Sequence, residues 1–439
     1  MTAPAAAPPA PSFAAAARYW LKLGFISFGG PAGQIALMHQ ELVERRRWIS
    51  EGRYLHALNY CMVLPGPEAQ QLATYIGWLL HGRWGGLVAG GLFVLPSLLI
   101  LIGLSWLYLR FGETTLLQGV LYGIRPAVTA LVLFAAWRIG SKTLRNRPLQ
   151  ALALGSLLAL LLGAPFPAII LLAGLLGLWW GRVRPQWVAA AGGHGSAGDR
   201  PHPPALIDDH TPPPARAAHP LRQAVRIGVL GSLLVIAGVL LLRLWPGVPA
   251  VLGAMALFFT QAALLTFGGA YAVLPYVYQG AVHQFGWLSG PQMMDGLALG
   301  ETTPGPLIMV VAFVGFVGGW QAPGGDASLA VLGAVVATLF TFLPSFLFIF
   351  AGAPIVEASR QRPRLSAPLT AITAAVVGVI VSLALFFGRH TLWVEGRLDG
   401  VALALTVLAW LALQRYGRSP VQVILVCAGL GVLLGALRP

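Results

Sequence analysis

Apolar runs of roughly 20 residues, separated by short polar stretches, recur from one end of the chain to the other. Gly85 to Leu109, Gly228 to Trp245, Val331 to Gly352 and Leu369 to Gly388 are the clearest. Each is long enough to cross about 30 Å of hydrocarbon as a helix. The pattern predicts an all-α polytopic membrane protein and leaves nothing over for a large soluble domain. Glycine and proline interrupt the apolar pattern at Gly29-Gly30-Pro31, Pro65-Gly66-Pro67, Gly268-Gly269 and Pro304-Gly305-Pro306. Backbone groups in lipid must be satisfied internally, so such breaks are tolerated at membrane depth only where they are buried or line a cavity. One isolated break reads as a kink or a tight helix crossing.

These breaks form two matched sets. Phe28, Gly29 and Gly30 match Phe267, Gly268 and Gly269; Trp48 and Ser50 match Trp287 and Ser289; Pro65, Gly66 and Pro67 match Pro304, Gly305 and Pro306, all at one separation without a gap. Tyr75 and Gly77 correspond to Phe313 and Gly315, and Leu95-Pro96-Ser97 to Leu343-Pro344-Ser345, after an insertion containing QAPGGD. The chain therefore reads as a tail (1–12), a first half (13–184), a Pro-, Gly- and His-rich flexible linker (185–221), a connecting transmembrane helix (222–246) and a second half (247–439). The tail, TAPAAAPPAPS, lacks the basic and apolar regions of a signal peptide. The connecting helix has no partner in the first half. An odd number of crossings between matching halves inserts them from opposite faces, so the repeat is expected to be inverted.

Two topologies fit this pattern. If every apolar segment crosses once, the Arg45-Arg46-Arg47 cluster lies outside. Alternatively, Phe13 to Trp48 and Gly52 to His81 are re-entrant hairpins that turn back at their breaks, with Val248 to Gly286 and Pro291 to Gly319 doing the same from the other face. Then Arg45 to Arg47, Arg83, Lys142, Arg145, Arg147, Arg360, Arg362, Arg364, Arg415 and Arg418 all fall in the cytoplasm, as the positive-inside rule favours. Length agrees, because Phe13 to Trp48 as one helix would run about 54 Å at about 1.5 Å per residue.

Composition narrows the class further. The 439 residues are 57% hydrophobic and 10% charged, against roughly 25% charged in soluble domains. A net charge of +14 does not point to nucleic acid, because the basic residues sit in short loops and not along one face among aromatics. Cys61 and Cys427, the only cysteines, lie in apolar segments and read as small core residues, so no disulfide framework is expected. No metal or cofactor is expected either, since the linker histidines match no ligand spacing.

A helix that starts at midmembrane presents unpaired N–H groups and the positive end of its dipole, and both attract an anion. Matched breaks in inverted halves are where secondary transporters place their sites. Ser27 and Thr266 precede the two FGG motifs, and Thr302 and Thr303 precede the second PGP, where their hydroxyls could donate to an anion. The ionisable residues within apolar segments are Glu68, Arg125, Asp295 and Glu301. Such residues are costly in lipid and therefore informative. Glu68 and Glu301 flank the two PGP breaks and are expected to converge as proton carriers or gates, since a desolvated carboxylate holds its proton more readily. Asp295 is a weaker candidate for the same role. Arg125 is expected either to bind an anion directly or to pair with Glu68 or Glu301. The plain structural alternative for each carboxylate is an acceptor for the exposed N–H groups of a break.

FGGPAGQIALMHQELVERRRWIS, LPGPEAQQLATYIGWLLHGRWGG, LTFGGAYAVLP and LALGETTPGPLIMVVAFVGF together resemble the long-chain, two-half chromate ion transporter (CHR) family. The likeness covers nearly the whole chain, and PGPEAQQLA and ETTPGP are its specific parts. It implies proton-coupled export of chromate, a sulfate-like tetrahedral dianion, across the bacterial inner membrane by a multi-pass protein, whose N-terminus the arginine distribution of the hairpin topology puts in the cytoplasm. The family motifs fall on Gly29, Gly30, Pro31, Pro65, Gly66, Pro67 and Glu68, and on Gly268, Gly269, Glu301, Thr302, Thr303, Pro304, Gly305 and Pro306. The second FGG is followed by Ala270 where the first has Pro31, so the two breaks need not share one geometry. A potential negative inside favours expulsion of a dianion by about 4.6 kcal/mol per 100 mV.

The same residues fit transport or exchange of sulfate or a related oxyanion. A passive channel would also use broken helices, but buried carboxylates at the breaks suit alternating access better. An intramembrane enzyme is not favoured, since no HExxH or GxSxG is present and His39, His56 and His81 are expected at helix ends. Lipid and protons complete the expected partners, and homo-oligomerisation is compatible with the pattern.

Overall fold

The computed structural model describes residues 8–28, 30–112, 114–188, 204–209, 211–212, 220–267, 270–358, 366–394 and 396–437. The first half begins with α1 (Phe13–Ile26), whose first turn is capped by the Ser12 hydroxyl accepting the Ala15 N–H at 3.2 Å. Past the first break come α2 (Gly30–His39), extended by a π-helical turn Gln40–Arg45, then α3 (Glu51–Val63) and α4 (Glu68–Phe111). α5 (Thr115–Thr143), α6 (Arg147–Leu161), α7 (Phe166–Val183) and the short α8 (Pro185–Val188) complete it. α9 (Pro220–Leu244) connects to the second half, which runs α10 (Ala250–Leu264), α11 (Ala270–Tyr278), a π-helical turn Gln279–Gln284, α12 (Gly290–Thr302), α13 (Val310–Gln321), α14 (Ala327–Ala358), α15 (Ser366–Leu392), α16 (Gly400–Gln414) and α17 (Pro420–Leu437). The repeat extends to the π-helical turns, which occupy matching positions. Strand structure among the described residues is confined to one small hairpin, Trp393–Val394 with Arg397–Leu398, and one isolated bridge.

α1 and α2 form a hairpin with its tip at the break. The Arg46 guanidinium lies 4.8 Å from the Tyr19 ring and the Trp48 ring 5.5 Å from that same ring, so the returning chain comes back alongside the middle of α1. α4 is two limbs, 68–80 and 83–111, divided by non-helical backbone at His81 and Gly82. The limbs fold against each other, Gly77 on Gly85 and Ala89, where the lack of side chains lets backbones approach. α3 and the first limb of α4 form a second hairpin with its tip at Pro65-Gly66-Pro67. Arg53 near the start of α3 and Tyr75 on the returning limb both bind the Glu357 carboxylate, each at 2.6 Å. The Pro11 carbonyl lies 3.0 Å from the His81 ring nitrogen, which brings the start of α1 and the turn of α4 to one face. α10 with α11, and α12 with α13, repeat the arrangement; Gly318 at the end of α13 meets Met255 and Trp287.

Around these hairpins stand the long helices. Among the described residues, six are long and apolar enough to cross a membrane: α4, α5, α7, α9, α14 and α15. α5 packs closely on α17, where a side chain at Gly123 would overlap the Cys427 carbonyl. α9 buries only Val235 and Val239 and leaves a broad leucine face outward, as a peripheral lipid-facing helix should. Part of the linker is docked: Leu206 and Ile207 donate backbone hydrogen bonds to Arg47 and Trp48, and Asp209 accepts from the Ser50 hydroxyl at 2.7 Å. His56 lies in the middle of α3 and not at a helix end.

Candidate functional site

The two sets of breaks meet, and they do so reciprocally. The Gly66 N–H donates to the Thr266 carbonyl at 2.7 Å, and the Gly305 N–H donates to the Ser27 carbonyl at 2.8 Å. Gly66 matches Gly305 and Ser27 matches Thr266, so each half supplies the partner that the other half's broken helix lacks. Buried Gln34 reinforces one crossing, its amide donating to the Gly305 carbonyl at 2.6 Å. The Gln71 amide donates to the Pro65 carbonyl at 2.7 Å, closing the other turn.

This crossing answers where the break amides go, and it changes the role expected for several residues. The Gly66 and Gly305 N–H groups, between Pro65 and Pro67 and between Pro304 and Pro306, hold the halves together and are not open to a ligand. Thr266 donates its hydroxyl to Ala262, Thr302 to Ala298 or Leu299, and Thr303 to Leu299. A threonine near helical backbone in a water-poor interior finds its acceptor one turn back, so these hydroxyl hydrogens do not point at an anion. Ser27 is buried, with its hydroxyl unpartnered among the described residues. Gly29, Gly268 and Gly269 lie outside the described residues.

Beside the crossing opens a cavity of about 820 Å³. At about 30 Å³ per water this is space on the order of two dozen waters, far more than one small anion fills. Its inner wall is made by Gly30 and Pro31 at the start of α2, Ala270 and Tyr271 at the start of α11, Glu68 at the start of α4 and Glu301 near the end of α12. Three helices, α2, α11 and α4, thus begin at the cavity, where their amides and dipoles favour negative charge. Glu68 and Glu301, one from each half, share this wall as their positions led one to expect. The Tyr271 hydroxyl donates to Glu301, whereas Glu68 has no hydrogen-bond partner among the described residues.

Arg125 joins neither carboxylate. It grips Asp295 through Nε and Nη2 at 2.9 and 3.0 Å, and the Tyr108 hydroxyl donates to the same carboxylate at 3.0 Å. Asp295 is fully buried, and neither it nor Arg125 lines the cavity. In place of the expected pairing with Glu68 or Glu301, the partner of Arg125 is therefore Asp295. A guanidinium takes the carboxylate that presents both oxygens within reach, and Asp295 on α12 does so across from α5.

Sequence reasoning did not find the outer wall. His39, Glu44 and Tyr54 line it from the first hairpins, and Arg138 and Lys142 line it from α5. His39 is held between Glu44, at 3.3 Å, and Glu51. A signal for α5 was present: Leu131, Phe134, Ala135, Arg138 and Lys142 recur at helical spacing, so a basic pair ends an otherwise apolar stripe.

Residues 14–178 and 253–432 match the family described as chromate transporter, one stretch in each half. A probable chromate transport protein of Synechococcus elongatus is 31% identical over 389 residues, covering 88% of this chain and 86% of the relative. A chromate transport protein of Cupriavidus metallidurans is 30% identical over 376 residues, covering 85% and 82%. One of Pseudomonas aeruginosa is 34% identical over 387 residues, covering 85% and 81%. No solved structure matches the chain. With paired broken helices, a carboxylate from each half at one cavity and a family match spanning both halves, this multi-pass membrane protein belongs to the chromate transporter family.

Proposed function

We propose that this protein exports chromate from the bacterial cytoplasm by proton-coupled alternating access, with its two halves inserted in opposite senses and its N-terminus in the cytoplasm. The observation that carries the reading is the convergence of Glu68 and Glu301 on one cavity that also holds Arg138 and Lys142. A dianion and two ionised carboxylates repel one another in a confined space of reduced dielectric. Entry of the anion and neutralisation of the carboxylates are therefore linked, which is the physical origin of the coupling. The reciprocal break contacts support the alternating step, because they hold the two halves to each other at the tips of their hairpins and so supply a fixed centre for it. The summed charge of the many basic residues placed in the cytoplasm by this topology raises the anion concentration on that side, no single one of them being decisive.

The test is chromate uptake into inside-out membrane vesicles, with and without an imposed pH gradient and with sulfate as competitor. Wild-type protein is expected to accumulate chromate at a rate that changes with the gradient. Glu68→Gln and Glu301→Gln are each expected to remove that dependence and to slow transport at least on the order of tenfold, the scale of a lost proton-transfer or gating group. Absence of chromate movement would sink the cargo, and sulfate uptake in its place would make the protein a sulfate carrier. Gradient dependence surviving in both variants would remove the carboxylate mechanism.

A further inference from the structure

The cavity wall built by α5 carries more chemistry than the export reading uses. Leu131, Phe134, Ala135, Arg138, Ile139 and Lys142 line it at spacings of three and four, so one face of the helix is turned to the cavity. Arg138 lies five residues before the helix end at Thr143, on the order of 7 Å inside it. Among the described residues its guanidinium makes no ion pair and no side-chain hydrogen bond, and the Lys142 ammonium makes none either. Two carboxylates share the cavity with Arg138, yet Glu301 takes its hydrogen bond from Tyr271 instead. Arg138 and Tyr271 line the same cavity. A free planar fork of donors therefore faces the same space as the two protonatable groups.

The repeat shows that the fold does not require this cation. The alignment that carries Leu95 to Leu343 carries Arg138 to Phe386 and Lys142 to His390. Phe386 fills its place by packing on Tyr278 at 4.4 Å and on His390 at 4.0 Å. Helix packing at this position is thus satisfied by an aromatic ring, and the arginine occurs on one side of the repeat only.

Resting on the export reading of this cavity, we propose that Arg138 is the residue that receives the tetrahedral dianion, two oxygens of the anion taking its N–H donors, and that Lys142 draws the anion inward from the mouth. A bidentate guanidinium matches an oxyanion edge in a way that a point charge does not. The pair sets the preference for dianions over monoanions. The competing role is that of an interfacial arginine that merely marks the cytoplasmic side.

Two measurements on the full chain separate these roles. In inside-out vesicles, Arg138→Gln is expected to raise the half-saturating chromate concentration on the order of tenfold, the loss typical of one charge-assisted bidentate contact. Arg138→Lys should fall between it and wild type, and Arg415→Gln, a basic residue beyond α16, should match wild type. In detergent, wild-type protein should be stabilised against melting by sulfate or molybdate more than by nitrate at equal ionic strength, and Arg138→Gln should lose that difference while melting normally without added anion. Unchanged half-saturation in Arg138→Gln, or equal weakening in Arg415→Gln, overturns the assignment. If wild-type vesicles move no chromate but the Arg138-dependent stabilisation by dianions persists, the export reading falls and this inference stands. If chromate moves and Arg138→Gln saturates as wild type does, the inference falls alone.

Discussion

At Gly66 and Gly305 the backbone adopts φ of 123° and 114°, a region that side chains other than hydrogen rarely enter. The space is closed as well: a Cβ at Gly66 would meet the Ser345 hydroxyl and the Gln71 amide, and one at Gly305 would lie 2.7 Å from the Ser97 Cβ. Ser97 and Ser345 are themselves repeat partners, so the same small hydroxyl residue guards each turn. Gly66→Ala and Gly305→Ala are each expected to cost about 2 kcal/mol or more, through strain at positive φ and through overlap. Thermal melting in detergent should show both as clear losses, with transport falling in parallel. Gly91→Ala, where a Cβ meets nothing within 4 Å, is the matched control and should melt as wild type does. Legibility at this scale was uneven. Glycine between two prolines announces a turn from sequence alone, but which oxygen its amide reaches depends on a segment far along the chain.

Each inner hairpin is fastened to the opposite half by a buried carboxylate with an arginine and a tyrosine. Arg53 of α3 and Tyr75 of α4 hold Glu357 at the end of α14, with the Arg53 and Glu357 side chains 4% and 1% exposed. Asp295 of α12 is held by Tyr108 near the end of α4 and by Arg125 of α5. Removing one member of such a buried pair strands the other, typically at about 3–5 kcal/mol, whereas replacing both by apolar residues is often close to neutral. Arg53→Leu is therefore expected to lower the melting temperature sharply, and the double replacement Arg53→Leu with Glu357→Leu to recover most of the loss. A double variant no more stable than the single one would show that the pair contributes more than mutual neutralisation. Hairpin positions were readable because the breaks and the arginine distribution point to them. The fastenings were not, because nothing local to Glu357 or Asp295 names a partner.

For the whole molecule, the odd helix α9 and the reciprocal break contacts together predict that equivalent hairpins open to opposite sides of the membrane. In a chain with Cys61 and Cys427 replaced, Arg45→Cys should react with an impermeant thiol reagent from the cytoplasmic side only. Gly324→Cys, in the turn between α13 and α14, should react from the outside only. Labelling of both from one side would refute the opposed insertion, and labelling of Arg45→Cys from outside would refute the hairpin topology.

Membrane class, two halves and the positions of the four breaks were determined by the sequence alone, and the repeat led one to expect Glu68 and Glu301 near one another. Lipid as a solvent imposes long apolar runs and makes every charge or helix breaker conspicuous, and a repeat fixes which positions are equivalent. Tertiary structure alone decided that Arg125 belongs to Asp295, that Gly66 and Gly305 exchange hydrogen bonds across the halves, and that Arg138 faces the cavity while its repeat partner Phe386 packs on rings. Those outcomes depend on which desolvated donor lies within about 3 Å of which acceptor. That distance is set by the packing of helices hundreds of residues apart in the chain, which no local pattern encodes.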